Sequence, residues 1–395
     1  MDLEAFRALL EPAGQRALAD AADVLAGGAD PVAAATALRR AHSPELTSAA
    51  LTQASLRRRA EAKFGADATV MYFTPHGVEQ ATRAEVAAHR AERVVRGSGP
   101  DGPPTVLDVC CGIGGDALAL ARAGCAVDAV DLDPLTAEVA RANAAVLGLS
   151  GRIAVRTGDA AAADPSRHGL LFADPARRGA RGRTFDPMAY SPSWPAVLDL
   201  VSRARAACLK VAPGIPYELI PEGAEAEWVS YRGEVKEAAI WAGPGPGGRR
   251  ATLLPSGATL TATGAEAETG PAGRYLYEPD GAAVRAHLVA EVAAMVDGRL
   301  LDPRIAYITS DRLVRTPWAA CFEIADVLPF SLKRLRATLR ERKVGAVTIM
   351  KRGSAVDVER LRKDLRLAGD NAAVLVLTRV EDRPYVLICA AVGRP

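Results

Sequence analysis

Between residues 105 and 211 short apolar runs alternate with longer stretches whose apolar residues recur at helical spacing. That alternation is the signature of a parallel sheet wound with helices. It predicts strands over Thr105–Val109, Ala126–Val130, Arg152–Arg156, Leu170–Ala173 and Ala207–Val211, with helices between them. The series then changes character. AEWVSYRGEVKEAAIWA, residues 226–242, predicts two strands joined at Arg232-Gly233 as an antiparallel hairpin, and a further hairpin is expected around Pro255-Ser256-Gly257.

Upstream, to about residue 98, the pattern is helical. Asp30-Pro31 and Ser43-Pro44 each set a capping side chain before a proline suited to a first helical turn, and Gly27-Gly28 closes the helix before them. Thr82-Arg-Ala-Glu85 has capping-box spacing and predicts a helix running through Val94, while ATVMYFTP, residues 68–75, reads as extended. Downstream, IAYIT, AVTIM, AAVLVLT and PYVLICA read as strands, the last two joined by a tight Glu381-Asp382-Arg383 turn. Two helices interleave with them, one presenting Leu332, Leu335 and Leu339, the other Val358, Leu361 and Leu365. Turn-rich RGSGPDGPP (96–104), GPGPGG (243–248) and AEAETGPAG (265–273) mark boundaries. The expected organisation is a helical region over 1–98, an α/β domain over 99–243, a hairpin and linker over 244–273, and a small α+β domain over 274–395.

Composition changes this picture little. The chain has 395 residues, 49% hydrophobic and 24% charged, enough for two or three globular domains. The six cysteines show no CxxC spacing and the five histidines are scattered, so neither a disulfide framework nor a metal site is expected. No signal peptide is evident and no run of 18 apolar residues occurs; a cytoplasmic protein without a membrane partner is expected. Charge is more informative. The net of +2 conceals a basic end: residues 271–395 carry 21 basic and 15 acidic side chains, leaving 28 basic against 32 acidic for residues 1–270. Much of the excess lies in SLKRLRATLRERK and in Lys351-Arg352.

The segment VLDVCCGIGGDALALA, residues 106–121, is a strand, a tight glycine-containing turn and a helix beginning near Asp116. Gly112 and Gly114 let the backbone approach a ligand without an intervening Cβ, and free amides at a helix start favour a nucleotide-like cofactor. The glycines alone also satisfy a dinucleotide pattern, which keeps a nicotinamide-dependent oxidoreductase as an alternative. Four acids distinguish the two. Asp108 ends the first strand, where a cationic amino group suits it; Asp131 ends the second, placed for both hydroxyls of a ribose. Asp159 follows the third strand, within reach of an adenine amino group, and Asp174-Pro175 ends the fourth. S-adenosylmethionine fits that row better than a pyrophosphate.

DVCCGIGGD, VDLDP, GDA and ADPARR resemble the glycine-rich loop, ribose acid, adenine acid and fourth-strand motif of class I S-adenosylmethionine-dependent methyltransferases. FADPARR, GRTFDP, VAPGIP and VLTRVEDRPYVLICA are similar to bacterial members with a C-terminal THUMP-like domain, and TPHGVEQATRAEVAAHRA to the cofactor-side helix of trimethylguanosine-type RNA enzymes. The resemblance implies a Rossmann-like methyltransferase sheet between an N-terminal helical region and a small α+β, THUMP-like domain. It also implies RNA as substrate. In that family's terms Asp108, Cys110, Gly112, Gly114, Asp131 and Asp159 contact the cofactor, while Asp174 and Pro175 carry catalysis by accepting from a target amine, without metal. Arg177 stands where amino-methylating relatives have an aromatic residue. Tyr190 and Trp194, with Phe185, follow closely enough to supply a ring, and Arg177, Arg178, Arg181 and Arg183 are four cations in seven residues suited to RNA phosphate. Cys110 and Cys111 read as small packing residues rather than nucleophiles. Lys210 could reach the crevice from the fifth strand. A small-molecule or protein methyltransferase, and a non-catalytic RNA-binding protein on the same fold, are the other readings.

Overall fold

The computed structural model describes residues 1–99, 102–176, 178–179, 182–183, 188, 190–245 and 247–392, the pairs 178–179 and 182–183 in backbone only. Two compact units divide the chain. The first comprises Met1–Ala224 and Ala239–Pro246, the second Glu225–Ala238 and Gly247–Pro395.

The first unit opens with helices α1 (Leu3–Leu10), α2 (Pro12–Ala26), α3 (Pro31–Leu38), α4 (Pro44–Phe64), α5 (Pro75–Gln80) and α6 (Ala84–Arg96). Asp30 and Ser43 cap α3 and α4 as their sequence positions predict, accepting from the amides of Val32 and Ala33, and of Leu46. The winding part follows: β1 (Thr105–Val109), α7 (Gly115–Arg122), β2 (Ala126–Asp131), α8 (Pro134–Val146), β3 (Ile153–Thr157), β4 (Leu170–Ala173), a small pair β5 (Arg178–Gly179) and β6 (Gly182–Arg183), α9 (Trp194–Arg203) and β7 (Ala207–Val211). Strands run in the order β3-β2-β1-β4-β7, all parallel, so the strand order reverses between β1 and β4. Open sheets of this kind bind ligands at the carboxyl end of that reversal. One apolar cluster joins the helical lead to the sheet, from Phe6 and Leu9 through Phe64 and Phe73 to Ile113, Leu118 and Val127.

The segment expected to be extended over 68–75 is only partly so. A 3₁₀ turn takes Gly65–Thr69, and Met71–Thr74 run buried with no neighbouring strand among the described residues. Two side-chain amides replace that strand. Gln53 accepts from the Phe73 amide at 3.0 Å and donates to its carbonyl at 2.6 Å; Asn143 accepts from the Tyr72 amide at 2.7 Å and donates to the carbonyls of Tyr72 and Ile113 at 3.0 and 2.9 Å. Asn143 therefore ties the helical lead to the glycine loop. Asn143→Ala leaves three buried backbone groups unmatched and is expected to cost about 2 to 4 kcal/mol, read as a lower urea midpoint.

A second correction concerns the capping box at Thr82. The cap residue of α6 is Arg83, with no side-chain cap bond. The Thr82 hydroxyl has been recruited elsewhere, to the site described below.

β8 (Glu225–Tyr231), in the second unit, and β9 (Glu234–Ala242), which begins in the second unit and ends in the first, meet at Arg232-Gly233, whose φ of 52° and 83° give the two-residue turn of the hairpin predicted from sequence. The strand β10 (Gly248–Leu254) pairs in parallel with β8 and antiparallel with β11 (Ala258–Thr261). Then come β12 (Tyr275–Pro279), α10 (Gly281–Arg285), α11 (Val289–Met295), β13 (Arg299–Asp302), β14 (Ile305–Ser310), β15 (Ala319–Pro329), α12 (Leu332–Glu341), β16 (Val344–Lys351), α13 (Val358–Leu365), β17 (Asn371–Val380) and β18 (Arg383–Ala391). They build a second sheet ordered β13-β14-β12-β15-β18-β17-β16. In β17, Leu375 and Leu377 face α12 and α13 through Leu335, Leu339, Leu361 and Leu365, while Val374 and Val376 join Leu276 and Tyr307 on the opposite face. Burial on both faces makes AAVLVLT a continuous apolar run. The periodicity leaves β12, β13 and β15 unpredicted. The first two are short, and β15 has a register shift between Ile324 and Asp326 that breaks its alternation. Among the described residues no helix is long and apolar enough to cross a membrane.

Candidate active site

The four acids predicted from sequence all lie beyond or at the ends of β1 to β4, and all four raise the Cys110 thiol electrostatically, after burial as the larger cause. They therefore converge on one place. Each nevertheless sits in a different environment. Asp108 is wholly buried near the end of β1, and among the described residues neither carboxyl oxygen has a hydrogen-bond partner. Burial, then the nearby charges of Asp116, Asp174 and Asp131, push its carboxyl well above the usual range. A buried acid with nothing to bind is costly, and a cation brought into the crevice would relieve it.

Asp131 closes β2. Its two oxygens each take one backbone amide, Gly112 at 2.9 Å and Asp133 at 3.0 Å, leaving further acceptor sites on both. Burial raises its carboxyl despite these bonds. The helix after it is capped by Asp133 instead, which accepts from the amide of Thr136. Asp159 is the one acid of the four that caps: it is exposed and accepts from Ala161 at 2.9 Å, opening a short 3₁₀ turn.

Between these acids the glycine loop is built for close approach. Gly112 and Gly114 have φ of 57° and 88°, and a Cβ on Gly112 would meet nothing within 4 Å. Cys110 shares the left-handed conformation at φ 66°, unusual for a residue with a side chain. Cys111 is buried and its thiol raised, chiefly by burial, which suits packing rather than attack. From the other side Gly77 presses on the loop; a Cβ there would lie 2.4 Å from Ile113 Cγ2, so α5 sits directly against it.

Asp174 follows β4 with its side chain 25% exposed, and Pro175 behind it is buried. Ala176 and Ser191 pair across the base of the loop that carries the arginines. Arg177 and Arg181, with Phe185, lie outside the described residues, and only the backbones of Arg178 and Arg183 are described, paired across β5 and β6. The aromatic expectation is corrected. Tyr190 and Trp194 are 4% and 2% exposed, and rings so enclosed have no face to offer a base.

Lys210 reaches the crevice, as its place on the fifth strand allowed, but sequence reasoning missed the ionic chain that runs from it through Thr82 and Asp116 to Arg90. Lys210 of β7, 5% exposed, donates to Asp174 Oδ2 at 2.5 Å and to Thr82 Oγ1 at 2.7 Å. Thr82 donates to Asp116 Oδ2 at 2.8 Å, and the other Asp116 oxygen takes Arg90, which is buried and stacked 5.1 Å over the Phe172 ring. Burial pushes the Asp116 carboxyl up, but Arg90, Lys210 and the Thr82 hydroxyl outweigh it and hold it below its ordinary value. The available signal was a lysine inside an apolar strand, ACLKV, opposite an acid at the end of its neighbour. Among the described residues no group of acids, cysteines and histidines could hold a metal.

A doubly wound sheet with a glycine loop and a crescent of carboxylates defines a nucleotide-cofactor enzyme of the methyltransferase type. Comparison with known proteins specifies it. Residues 104–195 match the family described as RNA cap guanine-N2 methyltransferase, residues 319–391 a THUMP domain-like family, and residues 2–60 a domain of unknown function. Proteins of two Mycobacterium tuberculosis strains, CDC 1551 / Oshkosh and ATCC 25618 / H37Rv, are each described as an uncharacterized S-adenosylmethionine-dependent methyltransferase. Each is 36% identical over 357 residues, covering 86% of this chain and 95% of the relative. The crystal structure of a candidate methyltransferase from Porphyromonas gingivalis W83 shares the fold, with a TM-score of 0.75 over 89% of this chain and 92% of that one at 22% identity. The chain belongs to the S-adenosylmethionine-dependent methyltransferases. The nicotinamide and non-catalytic alternatives are set aside by that membership.

Proposed function

We propose that the protein transfers a methyl group from S-adenosylmethionine to RNA, with a base amino group as the favoured acceptor. The observation that carries this reading is Asp174, held at the strand-order reversal beside the cofactor acids. When bound, S-adenosylmethionine supplies a methyl group already activated on a sulfonium. The residues present fit it. In this reading the orphaned Asp108 carboxylate accepts from the cofactor's ammonium, Asp131 from the ribose hydroxyls and Asp159 from the adenine amino group, while Cys110, Gly112 and Gly114 bring backbone close. Asp174, backed by the rigid Pro175, accepts from the target amine and sets it on the axis of displacement. No metal enters the scheme.

RNA is favoured on charge and on kinship. Lys333, Arg334, Arg340 and Lys343 are exposed on and beside α12 with no acidic partner among the described residues, within the stretch matched to the THUMP-like family. Arg177, Arg178, Arg181 and Arg183 are assigned to substrate phosphate. The description of the family matched by residues 104–195 also names an RNA substrate. A cytoplasmic setting is part of the same proposal, since the cysteines follow no disulfide pattern.

Incubating the protein with labelled S-adenosylmethionine and total bacterial RNA, then identifying the labelled nucleoside, tests the reading; label confined to protein or small molecules sinks it. The cofactor assignment has its own check. Asp131→Ala is expected to weaken S-adenosylmethionine binding by about 1 to 3 kcal/mol, and an unchanged calorimetric affinity would remove Asp131 from the ribose site.

A further inference from the structure

Lys210 is more deeply buried than the acid it serves: its side chain is 5% exposed, that of Asp174 25%. A lysine so enclosed in a strand persists only where its donors are matched. Two of its acceptors come from distant parts of the chain, Asp174 from the end of β4 and Thr82 from the turn ahead of α6. The direction of the chain of bonds is fixed. A threonine hydroxyl has one proton, and since Thr82 gives it to Asp116, it can only accept from Lys210.

From this we infer that Lys210 is a positioning residue for methyl transfer. It grips Asp174 by Oδ2 from below, so that the remaining oxygen, Oδ1, is the one turned to the acceptor. Thr82 and Asp116 hold the lysine in that pose, which makes the turn before α6 part of the catalytic arrangement. A partly exposed carboxylate following a short strand would otherwise share its time among rotamers. Loss of about 1 Å in such an alignment is enough to cost roughly 100-fold in rate. The inference rests on the reading of Asp174 given above.

The test uses the full chain. Lys210→Met is expected to lower kcat about 100-fold, in whichever acceptor fraction the unaltered protein labels, while calorimetric affinity for S-adenosylhomocysteine stays within about twofold. Lys210→Ala is expected to regain activity with added methylammonium, a recovery that a packing role would not give. Should the lysine variants fail to fold, Thr82 carries the same test: Thr82→Val lowers kcat about 10-fold, and Thr82→Ser recovers at least half of that loss on a logarithmic scale. Full activity in Lys210→Met, or equal activity of the valine and serine variants, overturns the inference. A readout free of any acceptor is the ¹⁵N side-chain signal of Lys210 in protein labelled at lysine. Asp174→Asn is expected to shift or broaden it, and an unchanged signal refutes the contact. If the unaltered protein labels no RNA, the substrate reading fails while this signal still decides the role of Lys210.

Discussion

Asp174→Ala is expected to reduce methyl transfer at least about 100-fold while calorimetric affinity for S-adenosylhomocysteine remains within about twofold. The separation follows from geometry. The cofactor contacts assigned above belong to β1, β2 and β3, whereas Asp174 closes β4 across the reversal of strand order. In the proposed reading, removing it takes away the acceptor's partner and leaves the glycine loop and Asp131 untouched. It also strips the buried Lys210 ammonium of one acceptor, so some stability is lost with the activity. Melting temperature must therefore be measured alongside. Full turnover in a well-folded variant would exclude Asp174 from the reaction.

How much of this site is legible in sequence depends on whether one strand or several make it. That Asp108, Asp131 and Asp159 come together was readable because each lies at or just beyond the end of a predicted strand, and a parallel sheet brings the ends of its strands together. The glycine loop was readable for the same reason. The clamp of Met71–Thr74 was not, since Gln53 and Asn143 lie 20 and 71 residues from the backbone they bind. No local pattern marks a side-chain amide as a substitute for a strand. Thr82 shows the opposite error: a local capping signal was present and lost to a stronger partner, because Asp116 and Lys210 are buried and must be satisfied. The aromatic residues illustrate a third limit. Proximity in sequence suggested Tyr190 and Trp194 as stacking rings, but burial of a large ring competes with leaving it free to stack, and here burial wins.

Arg90→Met is expected to destabilise the protein by about 3 to 5 kcal/mol at pH 7, the range for a buried ion pair deprived of one member. Arg90 and Asp116 are both buried, and Arg90 also covers the Phe172 ring, so methionine retains much of the packing and removes the charge. Asp116 would keep Thr82 and the field of Lys210, but lose the partner on Oδ1. The pH dependence has a definite sign. A carboxyl held below its ordinary value when folded adds stability that is present above the unfolded pKa, about 4, and disappears as pH falls through the folded value. Without Arg90 that depression shrinks, so the gap between variant and unaltered protein is widest at neutral pH and narrows below about pH 4. Urea unfolding at pH 7 and at pH 3.5 measures both. An equal gap at the two values would mean that the loss came from packing under Phe172 rather than from the charge on Asp116.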